Sequence, residues 1–248
     1  KYNLLYDAFG WDVPVYIHVP PVMKDKTTKL SKRNGDASFE DLIAKGYLPE
    51  AVINFIALLG WAPKGENEIF TLDELKQEFS ISGISKSPAI FDDKKLLAIN
   101  GAYIKKLSPE KFREDAMPYI KEAVKREDIN MDILCELLHS RMDSFGQIKE
   151  NVDFIDELPD YDIEMYRHKK MKTTPETSLE ALTKVLPVFE NLDDWTEEGI
   201  HKALFDLIGE LGVKNGWLLW PVRTAVSGKQ FTPGGAVEIC AIIGKDDT

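Results

Sequence analysis

Apolar positions along this chain recur mostly at three- and four-residue spacing, which predicts helices, and turn or cap residues divide the pattern into many short segments. Ser38 stands where it would N-cap the helix FEDLIAK, with Gly46 just past its end, and Pro49 suits the first position of the next helix. That next segment carries Val52, Ile53, Phe55, Ile56, Leu58 and Leu59, is apolar on more than one side, and is expected to be deeply buried. Thr71 with Glu74 makes a capping box before a further helix, and Ser108-Pro109 opens another. The helical pattern continues over 130–139, 162–172, 178–189, 197–211 and 233–243. Strand character is confined to VPVYIHVP near the front and to short pieces around Ile90 and Leu97. The pattern therefore predicts a predominantly α chain with a small α/β portion at its front. A soft boundary falls near residue 106, where the Asn100-Gly101 turn and NGAYIKKL give way to helices only, dividing the chain into 1–106 and 107–248. The charged and aromatic stretch from Gly146 to Pro175, with DELPDYDIEMY inside it, is expected to cover a join between helix pairs.

Composition adds limits. No apolar run reaches the roughly eighteen residues of a membrane-spanning helix, and no signal-peptide pattern opens the chain, so a cytoplasmic protein without membrane contact is expected. Cys135 and Cys240 lie in apolar helical contexts without any CxxC or Cys/His cluster, which favours buried thiols over a disulfide or zinc site, and no metal site is expected. Asp92-Asp93 and Asp193-Asp194 read as turn or cap residues, and His18 as a packed or hydrogen-bonded side chain. Trp61, Trp195, Trp217 and Trp220 read as core.

The formal net charge is −11, so a polyanion partner would need the positive charge gathered on one face. Candidates are Lys24 to Arg33, Lys94-Lys95, Lys105-Lys106, Arg167 to Lys172, and Lys214 with Arg223 and Lys229. The first is the densest, with five Lys/Arg against one acidic residue between Lys24 and Arg33. Within it Lys29-Leu30-Ser31-Lys32-Arg33 is followed by Asn34-Gly35-Asp36. Two lysines three apart around a serine, with glycine downstream, suit a loop that grips a polyphosphate, and a solvated basic turn is the plainer alternative.

The surrounding stretches resemble bacterial-type glutamyl-tRNA synthetase, a class I aminoacyl-tRNA synthetase. They are LLYDAFGW, VPVYIHVPPVM and KLSKRNGDASFEDLIAKGYLPEAVINFIALLGW between Tyr2 and Trp61, SKSPAIFDDKKLLAINGAYI from Ser85 to Ile104, WPVRTAVSGKQFTPGG from Trp220 to Gly235, and Gly244-Lys245. KLSKR takes the place of the class's KMSKS signature. None of His18, His139, His168 and His201 belongs to a His-x-Gly-His signature, so the chain reads as a C-terminal fragment, inactive alone. The resemblance implies the end of the class I catalytic domain, the KLSKR loop and a stem-contact region together in 1–106, and an all-helical anticodon-binding domain in 107–248. It implies two-step attachment of glutamate to tRNA(Glu) with ATP and Mg2+, through glutamyl-adenylate, by a monomeric enzyme. Lys32 would contact the ATP phosphates with help from Lys29, while Leu30, Ser31 and Arg33 complete the nucleotide-binding loop.

The same resemblance assigns the anticodon contacts. Arg223 and the pair Thr232-Pro233, nine residues on, correspond to residues that meet the first two anticodon bases, and Arg141, in LLHSRMDSF, to an arginine that meets the third. An arginine there favours the glutamate anticodon over the glutamine one. From the residues alone, Thr232-Pro233 could instead cap the last helix, and Arg141 could pair with Asp143. Glutaminyl-tRNA synthetase resembles the chain less, because its β-barrel anticodon region has no counterpart here, and a tRNA-modifying paralogue would lack the anticodon region. The rival from another class is an acidic helical adaptor that binds proteins and no RNA.

Overall fold

The computed structural model describes residues 2–31 and 38–248. It divides into two compact units, Lys1–Asp41 with Pro49–Ile99, and Leu42–Leu48 with Asn100–Thr248. Among the described residues the elements are twelve α-helices, a few 3-10 turns and isolated β-bridges.

The first unit contains α1 (Tyr2–Phe9), the start of α2 (Phe39–Ala44), α3 (Pro49–Gly60), α4 (Leu72–Glu78) and most of α5 (Asp93–Ile104). Local chemistry sets these ends. Thr71 Oγ1 accepts from Glu74 N while Glu74 Oε2 accepts from Thr71 N, which satisfies two donors left open by the first turn of α4. Asp92 accepts from Lys94 N and Lys95 N at the start of α5. Small clusters form the core. Trp61 packs with Phe70 and Leu75, and Phe55 meets Phe91 edge to face at 5.0 Å. The buried Asn54 bonds Phe70 N and Glu68 O with its two amide ends, closing the loop after α3.

Four expectations fail in this unit. VPVYIHVP joins no β-ladder among the described residues, and Val15 is 89% exposed. A strand is held by inter-strand hydrogen bonds, and an alternating sequence cannot supply the partner. His18 is exposed, not packed. Leu97 lies inside α5, whereas Ile90 does form a bridge, parallel to Met23. In α3 the buried face carries Ala51, Val52, Asn54 and Phe55, while Ile53 and Ile56 face solvent, so the helix is buried on one side only.

The second unit holds α6 (Pro109–Ala123), α7 (Met131–Arg141), α8 (Ile148–Val152), α9 (Pro175–Glu190), α10 (Glu197–Leu211), α11 (Asn215–Ser227) and α12 (Ala236–Ile243) around one core. Ser108, Asn130 and Thr196 cap α6, α7 and α10 through their side-chain oxygens. The central element is α12, buried along almost its whole length and packed on α7, α10 and α11. A helix end in a core needs partners for its last carbonyls. Trp195 Nε1 donates to Cys240 O at 3.1 Å, Asn130 N to Ile242 O at 3.0 Å, and Arg126 Nη2 to Ile243 O at 3.0 Å. Both cysteines are buried free thiols, and burial pushes Cys240 up to about 12.

The helix expected over 162–172 is replaced by a 3-10 turn, Ile163–Tyr166, and a loop closed by a bridge between His168 and Thr173. Arg167, Lys169, Lys170 and Lys172 supply no apolar stripe for a helix to bury, and the buried Thr173 donates its hydroxyl to Tyr166 O instead. The stretch before it packs against α9 and α11, as a cover over their join.

Candidate nucleic-acid interface

Two arginines without a carboxylate partner among the described residues lie in the second unit, where α7 and α11 end and the loop into α12 begins. Gly228 closes α11 in the left-handed conformation (φ +59°). The chain then runs through Lys229, Gln230, Phe231, Thr232 and Pro233 to Gly235, which opens α12 and donates its N–H to Glu238 Oε2 at 3.0 Å. A Cβ on Gly234 would stand 2.9 Å from Leu137 Cδ1 on α7, so glycine permits this close approach. Leu137 and Arg141 are four apart on α7 and share its face, which places Arg141 beside the loop.

Arg223 projects from α11 at the other side. Its Nη2 donates to Gln230 O at 2.7 Å, its guanidinium carbon lies 4.5 Å from the centroid of the Trp220 ring, and its Nε is buried without a hydrogen-bond partner among the described residues. Burial, and then the positive charge of Arg141, push the guanidinium below the usual arginine range. Two arginines from different helices thus sit close enough to repel, and among the described residues neither has a carboxylate within ion-pair distance. Asp143, the acid nearest Arg141 in sequence, binds Lys105 at 3.4 Å. Arg223 is half-buried and Arg141 exposed, and a half-buried cation gives up part of its hydration without gaining a counterion. The arrangement therefore favours an incoming anion with acceptors for a planar, multi-donor group.

The other expected residues are placed as follows. Thr232 is buried, and its hydroxyl donates to Gly234 O at 2.6 Å, so it does not cap α12; Pro233 is buried beside it. Lys229 is committed to Asp153 and, at 2.7 Å, to Glu150 O. Of the remaining basic clusters, Lys95 pairs with Glu68 at 2.6 Å and Arg167 with Glu164 at 2.6 Å. Two contributors escaped the sequence reading. Trp220 is core, as expected, yet its ring also carries Arg223, a relation signalled by their i, i+3 spacing. Phe231 is 80% exposed on the loop that holds Arg223, and nothing in the sequence pattern marks that exposure.

The signature loop belongs to the first unit. Met23 bridges Lys29 antiparallel and Ile90 in parallel, with Leu30 N donating to Val22 O at 3.1 Å. Asp25 accepts from Thr27 N, Thr27 Oγ1 and Thr28 N, each at 2.8 Å, which fixes the turn and lowers its carboxyl to about 2. Lys29 and Leu30 thus leave a pinned turn, followed by Ser31, while Lys32 and Arg33 lie outside the described residues. Among the described residues no three His, Cys, Asp or Glu side chains are grouped to hold a metal ion, and no helix is long and apolar enough to cross a membrane.

Comparison with known proteins gives these features a context. The family described as "Anticodon binding domain" matches residues 111–248, and "tRNA synthetases class I (E and Q), catalytic domain" matches residues 1–98. The glutamate–tRNA ligase of Clostridium acetobutylicum is 56% identical over 248 residues and that of Clostridium botulinum (strain Hall) 58%, each match covering 100% of this chain and 51% of the relative. The chain spans about half the length of the curated relatives it matches. Among solved structures, a glutamate tRNA ligase from Elizabethkingia meningosepticum in complex with its amino acid matches with a TM-score of 0.76. Glutamate-tRNA synthetase from Elizabethkingia anophelis matches with 0.77. Both are 24% identical and cover 98% of this chain and 51% of theirs, a likeness of fold. The anticodon-binding match takes in the larger part of the chain and the catalytic match its front, in the order the sequence motifs led us to expect: the chain belongs to the glutamyl-tRNA synthetase family, class I.

Proposed function

We propose that the protein is the tRNA-binding part of a glutamate–tRNA ligase, a cytoplasmic, monomeric enzyme that attaches glutamate to tRNA(Glu) with ATP, and that this chain alone is inactive. The observation that carries the reading is the pair Arg141 and Arg223, two cations held together by the fold without a carboxylate partner among the described residues. Splayed anticodon bases offer what such a pair lacks, acceptor edges and backbone phosphates. In this reading Arg223 and the Thr232-Pro233 backbone meet the first two bases and Arg141 the third. Because the Thr232 hydroxyl already serves Gly234 O, Thr232 acts through its backbone and shape. The exposed Phe231 ring offers a stacking face beside them. An acidic adaptor for proteins gives no reason to keep two arginines in mutual repulsion.

For the first unit we propose the nucleotide-binding role of Lys29, Leu30, Ser31, Lys32 and Arg33. The donor set fits phosphate: ammonium groups, a hydroxyl and backbone N–H groups, with the one acid of the turn, Asp25, satisfied by its own loop. ATP, with Mg2+ carried on its phosphates, would supply the activated group for the glutamate carboxylate. Lys32 holds phosphate oxygens and offsets charge on the departing pyrophosphate, and Lys29, leaving the pinned turn, assists. The functional division lies near residue 106, with the tRNA stem served by 1–106 and the anticodon by 107–248.

A titration of the chain with tRNA(Glu), with an anticodon-substituted tRNA and with Arg223→Ala alongside, tests the reading. Binding should weaken by roughly tenfold or more with either change, in line with the loss of about 1–3 kcal/mol for a base-reading arginine. Equal binding in all three cases overturns it.

A further inference from the structure

The loop 169–172 carries three lysines in four residues, and the described residues neutralise none of them. Lys169, Lys170 and Lys172 are exposed and have no carboxylate within ion-pair distance among the described residues, whereas Arg167 just before them is paired with Glu164. Exposed lysines usually belong to mobile side chains on indifferent surfaces. This loop differs in how firmly its backbone is held. His168 N donates to Thr173 O at 3.1 Å and Thr173 N to His168 O at 3.2 Å, closing the loop at its base. The buried Thr173 donates its hydroxyl to Tyr166 O at 2.8 Å. The His168 ring lies 4.2 Å, centroid to centroid, from Trp220, and Met171 packs so tightly on Gly216 that a Cβ there would collide with its sulfur.

Gly216, Trp220 and Arg223 are spaced i, i+4, i+7 on α11 and so share one face. The loop is thus bolted to the same face that presents Arg223, with Trp220 touching both. Seven helical residues rise about 10 Å, which is the spacing along α11 between Gly216, where the loop rests, and Arg223. Lys172 adds a second, independent sign. It is the one non-glycine residue at positive φ (58°) among the described residues, in a conformation where glycine would cost less. A lysine kept at a strained position that glycine would fill more easily points to use of its ammonium group.

We propose that the Lys169–Lys172 loop grips the sugar–phosphate backbone of the RNA whose anticodon Arg223 and Arg141 read, fixing its register without reading bases. The proposal rests on the tRNA-binding reading above. Its chemistry is that of backbone-positioning contacts, in which point charges neutralise phosphates and release counterions.

The test is the salt dependence of tRNA binding by this chain and by the variant Lys169→Gln/Lys170→Gln/Lys172→Gly, in which glycine preserves the backbone at 172. The plot of log affinity against log salt should become shallower by roughly two to three. Affinity for tRNA(Glu) and for an anticodon-substituted tRNA should fall by the same factor. Thermal unfolding of Lys172→Gly alone, at an unchanged or higher temperature, excludes a folding defect. An unchanged slope overturns the proposal, as does a loss confined to the cognate anticodon. If the unaltered chain binds both tRNAs equally and the slope still falls in the variant, the backbone grip stands and the anticodon reading fails. No tRNA binding by the unaltered chain overturns both.

Discussion

The two compact units use their side chains in opposite ways. In the second unit one core takes up most of the apolar residues, with Leu204 and Ile239 wholly buried, and the surface carries arginines and lysines without carboxylate partners among the described residues beside a few exposed apolar side chains such as Leu179 and Phe231. At the front of the first unit the apolar residues themselves are outside. No residue of α1 is buried, Leu4 is 71% and Val15 89% exposed, and Phe9 stacks on Trp11 at 4.8 Å as a local substitute for a core. Helices that can exchange apolar stripes within their own unit are self-sufficient, whereas an alternating segment such as VPVYIHVP depends on neighbours that its own sequence does not encode.

The largest effect should come from the packed core. Leu204→Ala is expected to cost about 3 kcal/mol, through lost transfer energy and a cavity, whereas Leu4→Ala and Val15→Ala should stay within about 0.5 kcal/mol. Urea unfolding of the three variants measures this, and a loss above about 1 kcal/mol at Val15 would break the contrast between the units.

Among the described residues each unit also has one buried asparagine that ties a loop to a helix, and here the two should behave alike. Asn100 accepts from Leu48 N at 2.8 Å and donates to Asp143 O at 2.6 Å, while Asn54 serves Phe70 and Glu68 in the same manner. Asn100→Ala and Asn54→Ala should each cost about 2 kcal/mol, because each strands buried backbone partners. A neutral Asn54→Ala would show that the first unit is loosely held throughout and not only at its front.

Helix caps come next. Thr71→Ala in the first unit and Asn130→Ala in the second each remove a bond to a first-turn N–H, worth about 1 kcal/mol, read by the same unfolding experiment.

The smallest effect is local to the 22–30 turn. Asp25 has its carboxyl lowered from 3.8 to about 2 by the Thr27 and Thr28 hydrogen bonds. A depressed carboxyl favours the folded turn above its unfolded value, and that contribution disappears as pH falls through about 2. The Asp25 carboxyl carbon should titrate by NMR with a midpoint near 2, and Thr27→Ala should raise it. A midpoint at the ordinary value would mean that the turn is not formed in solution.

The same contrast explains what the sequence made legible. Caps were, because their chemistry is local: Ser38, Thr71 with Glu74, and Ser108-Pro109 each bond within three or four residues. So were α6, α7, α9, α10 and α12, whose periodicity is itself the record of a core, whereas α11, Asn215–Ser227, interrupted by Pro221 and buried on several sides, was not. Basic clusters were visible as composition, but not which of them are already neutralised. Lys229 and Arg223 are six apart, yet one is bound to Asp153 and the other has no carboxylate among the described residues, a difference decided by residues remote in sequence. Phe231 on its loop and His168 against Trp220 depend on such distant neighbours too.

The central claim is that the fold holds Arg141 and Arg223 together to receive an anticodon. A nucleotide-resolution footprint of tRNA(Glu) bound to this chain tests it most directly. The account predicts protection of the anticodon loop that disappears with Arg223→Ala. Protection confined to other parts of the tRNA, or an anticodon footprint indifferent to Arg223, would contradict it.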